Sequence, residues 1–134
     1  MIDHHAALIY TMVLVAAADR DMTDAELASI GDMVMHLPVF RKFDREQLVK
    51  ISADCAKLLQ KDQGLEQVFD HIKAALPRHL RETAYALACD VAAADGRATQ
   101  EELRLLELLR HRLEVGRLAA AAIERGARAR HLTA

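Results

Sequence analysis

The chain has no tryptophan and only a few aromatic, glycine and proline residues among its 134 positions. Aromatic residues make up 4% of it, and it holds five glycines and two prolines. Sheets need strands joined by tight turns, and this chain has few of the residues that form such turns. Alanine and leucine, which are abundant, favour helices. The composition therefore predicts an all-helical protein that is long enough to bury a hydrophobic core.

The sequence also has little that suits a membrane or an oxidising compartment. The apolar run at 6–18 is too short to cross a bilayer and follows Asp3 rather than a basic segment, so it is typical neither of an anchor nor of a secretory signal. Cys55 and Cys89 lie in apolar stretches without CxxC spacing, which favours reduced thiols in a core. These features predict a cytoplasmic protein.

The motifs of common enzymes and of nucleic-acid-binding proteins are missing. The sequence has no Gly-rich phosphate loop, no HExxH and no recognisable Ser-His-Asp spacing, and it lacks the Glu-x-x-His of di-iron bundles. We therefore expect no enzymatic activity. A helix-turn-helix would need basic residues where acidic ones begin two of the predicted helices, so nucleic acid is not expected as a partner. Those acidic residues are Asp24, Glu26, Glu101 and Glu102.

One twelve-residue segment occurs twice, at an offset of 76 residues. The first copy, AAADRDMTDAEL, covers 16–27, and the second, AAADGRATQEEL, covers 92–103. Each copy follows an apolar stretch and contains a threonine with a glutamate three residues later, which is the pattern of a helix capping box. The two capping boxes pair Thr23 with Glu26 and Thr99 with Glu102. The repeat therefore predicts the same helix, loop and capped helix at two places.

Hydrophobic periodicity predicts about seven helices in a single domain over 1–134. We expect a compact bundle built from two pseudo-twofold-related helical hairpins, with repeat one at about 6–37 and repeat two at about 82–113. The alanine-rich helix of each repeat would lie at the centre. The capped helices carry apolar stripes that start at Leu27 and Leu103. Superposition of the hairpins would place the aspartates of the two loops over each other.

The acidic residues of the two loops allow two interpretations. Asp19 and Asp95 follow helix C-termini, where the macrodipole disfavours an anion by about 0.3 to 1 kcal/mol, so something should offset that cost. They are either turn residues that accept hydrogen bonds from nearby N–H groups, or ligands of a cation. Hard oxygen ligands suit a divalent cation such as Ca²⁺ or Mg²⁺. The candidate metal ligands are Asp19, Asp21, Glu26, Asp95 and Glu102.

The paired segments resemble the duplicated hairpins of the TerB tellurite-resistance family, over about residues 6–113. The resemblance implies a compact all-helical domain of bacterial stress and metal-resistance systems, with relatives attached to chaperone partners and to membrane-associated complexes. The acidic loop residues that are proposed to bind a cation or a partner in that family correspond to Asp19, Glu26, Asp95 and Glu102. The glycine after the aspartate is present as Gly96, but the first copy has Arg20 there.

The residues and the resemblance together predict a non-enzymatic TerB-like module of stress or tellurite resistance. Its acidic inter-helix loops would bind a divalent cation or a basic partner. The alternative is a protein–protein adaptor, associated with a chaperone or a membrane complex, in which the aspartates are purely structural and no metal binds. In both cases we expect a protein partner. Charge is uneven along the chain, since acidic residues dominate 1–37 and arginines dominate 110–130.

Overall fold

The computed structural model of the chain describes residues 1–18, 22–94, 96 and 98–134. These residues form seven α-helices, three short 3₁₀ turns and no strand, so the predicted all-α fold is confirmed. None of the helices described combines the length and the apolar character needed to cross a membrane. The helices are α1 (His4–Ala16), α2 (Asp24–His36), α3 (Leu48–Leu59), α4 (Gly64–Ala75), α5 (Arg81–Ala93), α6 (Gln100–Arg112) and α7 (Arg117–Arg130).

Helix α1 lies at the centre because it has no polar face. Every residue from Ala6 to Ala16 is buried, and the helix packs against α3, α4 and α5. The buried Thr11 hydroxyl in this stretch donates a hydrogen bond to the Ala7 carbonyl at 2.8 Å. Full burial of a large aliphatic side chain contributes about 1.5 to 3 kcal/mol, so α1 is a main source of the stability of the core.

Helix α5 is the second central helix, and its contacts match those of α1. Helix α1 packs on α2 and α3, and α5 packs on α6 and α7; in addition, α1 contacts α6, and α2 contacts α5. This matching agrees with the predicted repeat. The pseudo-twofold superposition itself stays a prediction, and the residues on which we based it, Asp19 and Asp95, lie outside the described part of the chain.

Both predicted capping boxes are present. The Thr23 hydroxyl accepts a hydrogen bond from the Glu26 N–H at 3.1 Å, and the Glu26 carboxylate accepts one from the Thr23 N–H at 2.9 Å. Thr99 and Glu102 make the same two bonds, at 3.1 and 2.8 Å. Each box therefore satisfies N–H groups that a helix N-terminus leaves without a partner, and it fixes the position of one glutamate.

The Thr99 cap gives a direct test of this local chemistry. Thr99→Ala removes the hydroxyl that the Glu102 N–H requires, so we expect the free energy of unfolding to fall by about 0.5 to 2 kcal/mol. Thr99→Ser keeps the hydroxyl and should change the stability little. Urea unfolding followed by circular dichroism measures both variants. Equal losses would show that the methyl group of Thr99, rather than its hydroxyl, stabilises the helix.

The second loop turns through a glycine. Gly96 has a φ of 83°, in the left-handed region that glycine adopts without a steric cost. A Cβ built at this position would meet no atom within 4 Å, so the requirement is conformational rather than spatial. The glycine that the resemblance singled out therefore has a backbone reason. The predicted core thiols are also confirmed, since Cys55 and Cys89 are free and buried.

Candidate functional site

The site begins with two carboxyl groups inside the protein. Glu26 is 2% exposed and Glu102 is 1% exposed, and among the described residues they are the only buried acidic side chains. Each stands in the first turn of its helix, at equivalent positions of the two repeats. Carboxylates are almost never fully buried unless another group pairs with them, because the loss of hydration costs several kcal/mol. These two glutamates therefore need partners.

Each glutamate is held by its own capping threonine. Oε1 of Glu26 accepts hydrogen bonds from the backbone N–H of Thr23 at 2.9 Å and from the Thr23 hydroxyl at 3.1 Å. Oε1 of Glu102 accepts from the backbone N–H of Thr99 at 2.8 Å. Because one oxygen is fixed in this way, each capping box sets the position of its carboxyl group.

The two carboxyl groups contact each other across the repeats. Burial, followed by the hydrogen bond with Glu26, raises the pKa of Glu102 to about 7, while the Thr99 backbone N–H acts in the opposite direction. Oε2 of Glu102 is buried and finds no N–H or O–H donor among the described residues. Because a carboxylate has no proton to donate, Glu26 and Glu102 share a hydrogen bond only when one of the two carboxyls is protonated. Without that proton, two like charges face each other in the interior.

The structure places two of the five predicted metal ligands together. Glu26 and Glu102 meet, whereas Asp19, Asp21 and Asp95 lie outside the described residues. Within the described ranges, no three or more His, Cys, Asp and Glu side chains form a group that could hold a metal ion. The described part of the site is therefore a carboxyl pair.

The sequence did not reveal that the two glutamates touch. The sequence left open a cation site shared by the two loops, but 76 residues separate Glu26 from Glu102 and no local pattern brings them into contact. The repeat carried a signal for the contact, since equivalent residues close to an axis that relates two copies lie close to each other.

The donor set of the pair fits a hard cation. Both groups are carboxylates, which are preferred ligands of Ca²⁺ and Mg²⁺, and Oε2 of Glu102 is an acceptor without a protein donor. A cation beside the pair would offset the repulsion between the two carboxylates, which otherwise is relieved only when one of them is protonated. The Oε1 atoms would keep their bonds to the threonine N–H groups. The residues of this chain that could hold the cation are thus Glu26 and Glu102, with Oε2 of Glu102 as a free acceptor.

Comparisons with known proteins bear on the same residues. Neither the curated proteins nor the solved structures gave a match to the chain. A scan against protein-family models matches residues 5–125 to the family described as tellurite resistance protein TerB. The match includes α1 from its second residue, α2 to α6, both capping boxes, both glutamates of the buried pair and most of α7. Because it covers nearly the whole chain, the protein belongs to the TerB family.

Proposed function

We propose that this protein is a non-enzymatic module of a stress or tellurite response whose two acidic loops bind a divalent cation, such as Ca²⁺ or Mg²⁺. The observation that supports it best is the buried Glu26–Glu102 pair, whose Oε2 of Glu102 has no donor. A structural capping role accounts for one oxygen of each glutamate. It does not account for the contact of two acidic groups in the interior, which costs stability unless a proton or a cation lies between them.

The remaining ligands in this proposal come from the same loops. Asp19 and Asp21 precede Glu26 by seven and five residues, and Asp95 precedes Glu102 by seven. Carboxylates at both ends of a short loop allow several oxygens to converge on one ion, as a hard cation with six to eight ligands requires. We propose one shared site for the two loops, because the glutamates that end them are in contact.

Isothermal titration calorimetry tests the proposal on metal-stripped protein at pH 8, with Ca²⁺, Mg²⁺ and Zn²⁺ in turn. We expect Ca²⁺ or Mg²⁺ to bind and Zn²⁺, which prefers nitrogen and sulfur ligands, to bind less well. Thermal melts with and without millimolar cation should show a higher midpoint with the bound ion. Asp19→Asn and Asp95→Asn each remove one charge while keeping a hydrogen-bond acceptor.

The two asparagine variants separate the interpretations of the aspartates. If the aspartates bind the cation, both variants lose affinity and keep their stability without metal. If they serve only as turn residues, stability falls instead, because the asparagine amide offers one acceptor oxygen where the carboxylate offers two. A melting temperature of the unmutated protein that no divalent cation changes would remove the cation proposal and favour the adaptor.

The adaptor alternative has an observation of its own. Leu27 and Leu103, which we expected to start the apolar stripes of α2 and α6, are 52% and 54% exposed. The rest of each stripe is mostly buried. Each of these leucines lines a surface groove, where a side chain of another protein would cover it. We propose that such a protein partner exists whether or not the loops bind a cation. We also propose that this protein and its partner act in the cytoplasm.

A further inference from the structure

A groove runs between α6 and α7. Both helices pack on α5 but have little contact with each other, which leaves a cavity of about 720 Å³ between them. The floor consists of small buried residues, among them Cys89 and Ala92 of α5 and Ala127 of α7. Because these side chains are small, the groove is deep enough for an apolar side chain of another molecule to reach its floor.

One wall of the groove carries an apolar residue without a partner. Leu106, Leu109 and Leu113 continue the stripe of α6 and are buried, but Leu103 at its beginning is 54% exposed at the edge of the groove. A leucine at this position gains the free energy of burial only when another molecule covers it. The groove is thus apolar at its floor and on one wall.

The rim of the groove is positively charged. Arg110 of α6 and Arg125 and Arg128 of α7 line it, and none of them forms an ion pair with a described carboxylate. Two acidic residues line the groove as well. Glu124 accepts a hydrogen bond from the buried Tyr85 hydroxyl, which holds its carboxylate toward the floor. The second acidic residue is Glu107. Because Glu124 is held toward the floor, the three arginines face only Glu107 at the rim.

A matched groove in the first repeat lacks this charge. A cavity of about 230 Å³ lies against α1, α2 and α3, and every residue that lines it has a counterpart 76 positions later that lines the larger groove. The leucines correspond, since Leu27 takes the place of Leu103. The arginines do not, because Val49 and Ser52 stand at the positions of Arg125 and Arg128. The basic rim is therefore specific to the second groove.

We propose that the groove between α6 and α7 binds an amphipathic, acidic helix of a partner protein. Leu103 to Arg110 spans about 10 Å of helix, which is the distance covered by anchor residues at i, i+4 and i+7 of a bound helix. The apolar anchors lie on the alanine floor and against Leu103. Acidic side chains beside the anchors face Arg125 and Arg128, which selects acidic over basic helices. The site needs no cation.

The test uses full-length protein in EDTA and a synthetic amphipathic helix with leucine at i, i+4 and i+7 and glutamate at the flanking positions. Binding is followed by ¹H–¹⁵N NMR titration. We expect shifts at Leu103, Leu106 and the facing residues of α7. Arg125→Glu combined with Arg128→Glu should weaken binding at least tenfold; both residues are exposed, and circular dichroism of the double variant checks that it folds. The matched control, Val49→Glu with Ser52→Glu in the first groove, should bind as the unmutated protein does.

Several outcomes would overturn the proposal. Equal binding of a peptide with lysine in place of glutamate would remove the role of the arginines. Shifts confined to the first groove, or undiminished binding by the double arginine variant, would place the contact elsewhere. If decanoate shifts the groove resonances and the peptide does not, the occupant is a small anionic amphiphile. If sedimentation shows self-association that the arginine variant abolishes and the peptide does not compete with, the occupant is a second copy of this chain.

Discussion

Gly64→Ala should lower the free energy of unfolding by about 3 kcal/mol, which corresponds to a fall of about 10 °C in the melting temperature. Gly64 is the first residue of α4, and a Cβ built on it would lie 2.0 Å from the carbonyl oxygen of Leu58 at the end of α3. That oxygen belongs to the backbone and cannot rotate away. The connection between α3 and α4 must shift, and with it the packing of both helices on α1.

Gly31 provides the control for this substitution. It lies in α2, and a Cβ at this position meets no atom within 4 Å. Gly31→Ala should therefore raise the stability by about 0.5 to 1 kcal/mol, since alanine has the higher helix propensity. Thermal and urea unfolding measure both variants. A Gly64→Ala protein as stable as the unmutated one would show that the α3–α4 connection relaxes without cost.

The local features were predictable because their causes are local. A capping box depends on two side chains three residues apart, so Thr99 and Glu102 were sufficient to locate the start of α6. The absence of charged residues and of a polar face from 6–16 was enough to place α1 inside. The need for a glycine at 96 followed from the resemblance, and the φ of 83° gives its physical reason.

The features that were missed depend on contacts distant in the chain. Leu103 starts an apolar stripe, but it is exposed because α6 and α7 have little contact with each other, and the packing of two helices is not encoded in the periodicity of either. The constraint on Gly64 is the approach of the Leu58 carbonyl, a contact between two helix ends that no local pattern shows. The contact of Glu26 with Glu102 depends on how two hairpins pack. Periodicity describes which face of a helix is buried and says nothing of what meets it.

The buried glutamate pair leads to a prediction about pH. Burial raises the pKa of Glu102 from its ordinary value of 4.5 to about 7 in the folded protein. Between pH 4.5 and about 7, the folded state therefore holds a proton that the unfolded state has released. This contribution to stability is fully present below pH 4.5 and is lost as pH rises through about 7. At about 1.4 kcal/mol for each pH unit, the loss amounts to about 3 kcal/mol.

Glu102→Gln should remove this dependence. A glutamine amide can accept the Thr99 N–H with its oxygen and donate to the Glu26 carboxylate with its nitrogen, so it replaces the proton permanently and keeps the capping box. In EDTA at pH 8 we expect the variant to be more stable than the unmutated protein by up to about 3 kcal/mol. At pH 4.5 the two proteins should be equally stable. The measurement is a series of urea unfolding curves across this pH range.

The difference in the free energy of unfolding between the Glu102→Gln variant and the unmutated protein reports on Glu102 alone, because every other titrating group is common to both. Glu101→Gln is the matched control: it removes the same charge from the exposed neighbouring position and should leave the pH profile unchanged. A Glu102→Gln protein that is less stable than the unmutated one at pH 8 would contradict the account of a pair that needs a proton. The same variant links stability to function, since the amide that stabilises the pair without a cation removes the carboxylate that a cation requires. We therefore expect Glu102→Gln to be more stable in EDTA and to gain nothing from millimolar Ca²⁺ or Mg²⁺.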